Sequence, residues 1–189
     1  MSHSQVAPTL GDHRQPPADT RRPALLLALL LSSALAALSG LFGSILVFAG
    51  GKDMAETNVK DVIDEQPDVL GLPSGFTAAD FRSLTGPMWE ELISDRQDTL
   101  VARAGMVAFF AGCALIATLL ARKAATWSRV LITVAAIASI IVHLLILGDY
   151  EPDSVAMLSR IAVFASVAAV VLCWLPPVKR YGRAMKARG

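Results

Sequence analysis

Charge is scarce in this sequence, and it is missing unevenly. Of 189 residues, 17% are charged and 54% are hydrophobic, which lies outside the usual range for a soluble domain. Residues 24–50 and 104–121 carry no charged side chain. Residues 130–147 contain only His143, and residues 155–175 contain only Arg160. A helix that crosses ~30 Å of hydrocarbon needs about 20 such residues. The blocks are apolar on every face, which argues against a soluble bundle with a greasy core. The expected fold is an all-α membrane protein with four transmembrane helices and a long helical outer segment between spans one and two.

Other scarcities narrow the function. Only two cysteines occur, Cys113 and Cys173, both inside apolar blocks. The outer segment therefore has no disulfide framework, and no thiol pair has redox spacing. Both read as small buried apolar residues. Of three histidines, His3 and His13 lie near the start and His143 lies in a span, so they do not assemble into one site. The chain has no nucleotide-binding loop, no HExxH, no Gx-Ser-x-Gly elbow and no Cys/His metal set. No catalytic residue, metal site or cofactor is expected, the protein is read as non-enzymatic, and nucleic acid is not an expected partner.

The chain divides as follows: residues 1–23, a disordered cytoplasmic tail; 24–49, the first span; 50–100, an extracytoplasmic helical segment; 101–121, the second span; 122–129, a cytoplasmic loop; 130–147, the third span; 148–154, a short outer loop; 155–175, the fourth span; and 176–189, a basic cytoplasmic tail. Arg21 and Arg22 resemble the n-region of a signal peptide, and Ala34-Leu35-Ala36 resembles its cleavage site. The apolar run continues to Phe48, so an uncleaved signal anchor is expected.

Basic residues set the orientation. Arg14, Arg21 and Arg22 precede span one, and Arg122, Lys123 and Arg129 lie between spans two and three. Lys179, Arg180, Arg183, Lys186 and Arg188 follow span four. Lys and Arg mark the cytoplasmic side. Residues 51–100 hold eleven acids against four bases, and the 148–154 link holds Asp149, Glu151 and Asp153 with no base. Both termini are thus expected in the cytoplasm of a cell whose plasma membrane the chain crosses four times. Trp127, Trp174 and Tyr181 then fall near the inner interface and Tyr150 near the outer one.

Local signals shape the outer segment. Gly50-Gly51 reads as a flexible start, followed by a short helix near residues 58–65 and a turn around Pro67. Thr77-Ala78-Ala79-Asp80 matches a capping box that opens a second short helix. Pro87 suits the first turn of a helix. With no Gly or Pro between Pro87 and Gly105, one helix is expected from about residue 87 to 121. About fifty residues bury little core alone, so this segment should dock on the bundle. Glu90 and Glu91 favour a helix start. Asp61, Asp64, Glu65 and Asp68 lack the ligand spacing of a calcium loop and read as a solvated acidic face.

Within the spans, Ser32, Ala36, Gly40 and Ser44 recur every fourth residue, a ladder of small side chains that lets helices approach closely. Ala104, Ala108 and Gly112 form a weaker one. Arg103, His143 and Arg160 all fall in the outer third of the membrane, as a polar intramembrane layer. Such groups are functional-site candidates by default, although an Arg near a span end also snorkels to the headgroups. The acids expected to partner them are Asp95, Asp98, Asp149, Glu151 and Asp153, with Arg160 turned toward the bundle or the outer link.

The alanine-rich spans, the single asparagine (Asn58), and the exit Trp174-Leu175-Pro176-Pro177 followed by Arg180-Tyr181 and a basic tail resemble the small tetraspan membrane proteins of high-GC bacteria such as actinobacteria. That resemblance implies a membrane location. The long first outer loop is also similar in layout to that of claudins, but its Trp and Cys-pair signature is missing. Two functions compete: an interaction or scaffold component of the cell envelope that binds a protein partner through the outer segment, and a small transporter or channel subunit that uses the His143/Arg160 layer. Apart from the lipid bilayer, no partner is named by the sequence, and neither is an oligomeric state.

Overall fold

The computed structural model describes residues 24–120 and 126–176. The expected tails, with Tyr181, lie outside the described residues apart from residue 176, as does the first half of the 122–129 loop; its second half, 126–129, is helical. Five α-helices account for nearly all of it: α1 (Ala24–Glu65), α2 (Ala78–Thr85), α3 (Met88–Leu120), α4 (Thr126–Leu147) and α5 (Asp153–Trp174), with a 3-10 turn over Pro67–Leu70. Four of them, α1, α3, α4 and α5, are long and apolar enough to cross a membrane.

These four form a bundle in which α1 packs on α3 and α5, and α4 packs on the same two helices. Hence α3 and α5 face each other across a diagonal. Leu26 and Leu29, at the start of α1, pack with Ala169 and Cys173 at the end of α5, so both ends of the described chain lie at one end of the bundle. The side-chain pattern is inverted relative to a soluble protein. Along α1 the exposed residues include Leu31, Leu35, Leu38, Phe42 and Ile45, while Ser33, Ala36, Ala37, Gly40 and Ser44 are buried. Large apolar side chains outside and small residues at the helix contacts are the arrangement that a lipid solvent favours.

At the opposite end the second half of α1, the 3-10 turn, α2 and the start of α3 form a cap. Residues 50–65 are a correction to the expectation of a flexible Gly50-Gly51 before a short helix at 58–65. The chain breaks only at Gly51, with φ 48° and ψ −131°, a backbone state that a side chain would disfavour. It then continues as helix directly to Glu65. The reason is an apolar stripe among acids: Ala55, Val59 and Ile63 are buried against a core that includes Trp89, Ile93 and Leu100 of α3. Trp89 is almost fully buried, and the ring of Phe81 lies 6.3 Å from its own.

α3 runs without a break from Met88 to Leu120. At 1.5 Å per residue it is about 50 Å long, so a single rod carries both cap and membrane packing. α2 begins at the capping box: Thr77 Oγ1 accepts from the Asp80 N–H at 3.2 Å, and the Thr77 N–H donates to Asp80 Oδ2 at 3.1 Å. Asp64 is not merely part of a solvated face. Its Oδ1 accepts from the Ala78 N–H at 2.7 Å, which satisfies a free donor in the first turn of α2 and ties α2 to the end of α1.

Candidate functional site

The bundle meets the cap at a polar cluster built around the α4–α5 link. Arg96 and Arg103, two turns apart on α3, interrupt the buried stripe Trp89, Ile93, Leu100, Ala104, Val107. They therefore point inward, toward the link. Arg96 donates from Nε to Asn58 Oδ1 at 2.8 Å, from Nη1 to Asp149 Oδ2 at 2.9 Å, and from Nη2 to the backbone carbonyls of Asp149 and Tyr150 at 2.9 and 3.1 Å. Arg103 Nη1 donates to Asp149 Oδ2 and, at 3.0 Å, to Glu151 Oε1. Asn58 completes the cluster by donating from Nδ2 to the Tyr150 carbonyl at 2.8 Å. Three separate pieces of chain, the cap half of α1, α3 and the link, are thereby joined by one planar fork and its neighbours.

The link is shaped by these bonds. Tyr150 has φ 49°, a left-handed conformation that costs a non-glycine residue about 1–2 kcal/mol. Its carbonyl is held from both sides by Asn58 and Arg96. The two carboxylates respond differently. Burial works to raise the pKa of Asp149, but the hydrogen bonds and charges of Arg96 and Arg103 outweigh it, and the net shift is downward. The Glu151 side chain is only 2% exposed, and there burial dominates over the same two arginines and pushes its pKa up.

Below the cluster lies a cavity of ≈ 20 Å³ lined by Arg103, Glu151, His143, Ser44 and Ser159 among others, room for about one water molecule. His143 is buried, and its Nδ1 lies 2.7 Å from the Ser139 carbonyl. A carbonyl only accepts, so Nδ1 carries the proton, and in the neutral ring Nε2 is the acceptor. Among the described residues Nε2 has no hydrogen-bond partner. Gly40 makes room for this ring: a Cβ at Gly40 would lie 3.1 Å from Val107 Cγ1 and 3.5 Å from His143 Cε1. Next to it, Ser44 Oγ donates across the helix contact to the Ala104 carbonyl at 2.9 Å.

Of the expected layer, Arg103 and His143 line this one cavity, and Arg160 does not. Arg160 is exposed and opens onto a separate surface groove. It forms no ion pair with any described residue, so its expected pairing with Asp98 or the link is corrected. The cause is the bundle diagonal: α5 carries Arg160 away from α3. Asp95 and Asp98 are exposed on α3 and take no part in the cluster, and Asp153 is exposed in the first turn of α5, where the helix dipole favours it. In the small-residue ladder, Ala36, Gly40 and Ser44 are buried and Ser32 is half-buried. The weaker ladder holds only at its first member: Ala104 is buried, but Ala108 is half-buried and Gly112 faces open space, and the buried positions beyond Ala104 on α3 are Val107, Ala111, Ala117 and Thr118. The sequence reading missed Arg96, although its place in an apolar stripe at helical spacing was a usable signal.

Two grooves open on the cap. One, of ≈ 350 Å³, is lined mainly by apolar side chains that include Val69, Leu70, Leu72, Phe81 and Leu92. The other, of ≈ 730 Å³, is polar and holds Asp53, Asp61, Glu65, Glu151, Asp153 and Arg160. Among the described residues no group of His, Cys, Asp and Glu has a geometry suited to a metal ion.

The fold thus defines an all-α, multi-pass protein of membrane type with a cap fastened to one end of its bundle. No protein-family model matches the chain, and no curated protein or solved structure is similar to it at a significant level.

Proposed function

We propose that the protein is a non-enzymatic interaction component of a bacterial cell envelope, resident in the plasma membrane with both termini in the cytoplasm, and that it binds a protein partner through its cap. One observation carries this reading. The cap presents an apolar groove of ≈ 350 Å³ with Val69, Leu70, Leu92 and Tyr150 exposed around it, although the rest of its surface is strongly acidic. A fixed apolar groove with a polar rim is suited to recognition. The Arg96–Asp149–Arg103 cluster supports it by locking the groove wall to the bundle. The orientation rests on the placement of Lys and Arg.

The transport reading draws its support from the polar groove that reaches Arg160. It needs a route past that point, and the cavities described among the spans are ≈ 20 and ≈ 10 Å³, below the size of a solute. The interaction reading is the better supported. Its test is a comparative affinity purification of the full chain from native membranes, as wild type and as Leu70→Asp. At least one protein should co-purify with the wild type and be lost from the variant. Identical protein sets from the two would refute the groove as the binding surface.

A further inference from the structure

The two grooves of the cap are neighbours. Asn58, Val62 and Tyr150 line both, so a single ridge separates an apolar trough from an acidic one. The charge balance of the cap is also resolved residue by residue. Residues 51–100 contain eleven acids and four bases. All four bases are engaged: Lys52 with Glu90, Lys60 and Arg82 with Glu56, and Arg96 with Asp149. On the acidic side of the ridge, Asp53, Asp61, Glu65 and Asp153 have no ion-pair partner among the described residues. Among the described residues Arg160 is the one cation that lines this groove, against Asp53, Asp61, Glu65, Glu151 and Asp153, so the surface carries an excess of negative charge beside a fixed apolar slot.

Resting on the proposed role of the cap as a binding surface, we infer that the partner is a cationic, amphipathic polypeptide segment lying across the Asn58–Val62–Tyr150 ridge, its apolar side chains in the Leu70/Leu92 trough and its Lys or Arg side chains over Asp61 and Glu65. The chemistry of both sides is needed to select it. An anionic lipid surface is repelled by the same acids, and a neutral apolar segment leaves the field unanswered. Charge complementarity speeds encounter and rejects wrong partners, while the buried apolar anchors supply most of the affinity.

The test uses the full chain in nanodiscs of zwitterionic lipid, with empty nanodiscs as reference. The probe is a fluorescent Leu/Lys peptide of about five helical turns with an amphipathic pattern. A Leu/Gln version and a scrambled Leu/Lys version are its controls. Fluorescence anisotropy should show the amphipathic Lys peptide binding loaded discs about tenfold more tightly than empty ones. Leu70→Ser/Leu92→Ser and Asp61→Asn/Glu65→Gln should each weaken it by about tenfold, and only the contribution of the acids should be salt-sensitive. Equal binding to loaded and empty discs would overturn the inference, because the peptide then reads lipid alone. Equal binding of the scrambled peptide would also overturn it, by making the contact one of charge only. If the Gln peptide binds as well as the Lys peptide and Leu70→Ser/Leu92→Ser still removes binding, the cationic partner is wrong and the cap surface stands. If no peptide distinguishes the discs and Leu70→Asp keeps every co-purified protein, both proposals fall.

Discussion

Arg96 grips Asp149 at two points: Nη1 reaches its carboxylate and Nη2 its backbone carbonyl, both at 2.9 Å. Fifty-three positions separate the two residues in the chain, and their contact closes the α4–α5 link onto the long helix that carries the cap. A carboxylate alone would fix a charge. The backbone contact also fixes the path of the link, and with it the Tyr150 edge of both grooves.

The arginines of this region should therefore differ sharply in their effect on stability. Arg103→Leu leaves the Glu151 carboxylate, nearly inaccessible to solvent, without a partner, and breaking a buried pair in this way costs about 3 kcal/mol. Arg160→Leu removes an exposed cation that has no ion pair among the described residues and should change stability by no more than about 0.5 kcal/mol. Unfolding in mixed detergent, with both variants beside the wild type, measures the contrast. Equal losses would mean that the cluster does not fasten the cap.

Acid and base should act on the two link carboxylates in opposite directions. Unfolded Asp and Glu titrate near ~3.9 and ~4.3. The pKa of Asp149 is lowered in the fold, so its contribution is present above pH ~4 and is lost as pH falls through the folded value. The pKa of Glu151 is raised, so its contribution is present below pH ~4.3 and is lost as pH rises through the folded value. The advantage of wild type over Asp149→Asn should shrink in acid, and its advantage over Glu151→Gln should shrink toward neutrality. Stability–pH curves of the three proteins check this. Two differences that move together would contradict the assignment.

Glycine positions in the spans offer a separate check on the packing. A methyl group at Gly40 meets Val107 Cγ1 at 3.1 Å, whereas at Gly112 it meets nothing within 4 Å. Gly40→Val should cost about 1–3 kcal/mol by overpacking and disturb the His143 cavity. Gly112→Ala should be neutral or gain up to about 1 kcal/mol from helix propensity. Thermal unfolding in detergent separates them, and a Gly40→Val protein as stable as wild type would place the α1–α3 contact elsewhere.

Local chemistry in the sequence carried much of this fold, and long-range pairing carried the rest. The capping box at Thr77–Asp80 and the uninterrupted helix after Pro87 depend on neighbours a few residues apart, so both were legible. The four spans were legible because a 20-residue apolar block has few other uses. Arg96 was not singled out because, read alone, it is one more cation on a charged helix, and its partners lie on α1 and on the α4–α5 link. Arg160 misled for the converse reason. Its depth in a span implied a partner, but the order of helices around the bundle, which the chain does not state, turned it toward an open groove. Asn58 is the single asparagine of the chain, and its role depends on Arg96 and Tyr150, which only the fold brings beside it.

The proposed orientation is checked with reporters. A reporter active only outside the cytoplasm should be active when inserted near residue 75 and silent after residue 125 or at the C terminus. An externally active C-terminal fusion would invert the arrangement and put the cap, with both of its grooves, in the cytoplasm.

The central claim is that the cap groove is the working surface of the protein. Site-specific photo-crosslinking in growing cells tests it most directly, with the photoreactive residue placed at Leu70, at Leu92 or at the exposed bundle position Phe164. The account predicts a discrete polypeptide adduct from Leu70 and Leu92, lost on adding Asp61→Asn/Glu65→Gln, and none from Phe164. A protein adduct from Phe164 with none from Leu70 or Leu92 would contradict it and move the interaction to the membrane face of the bundle.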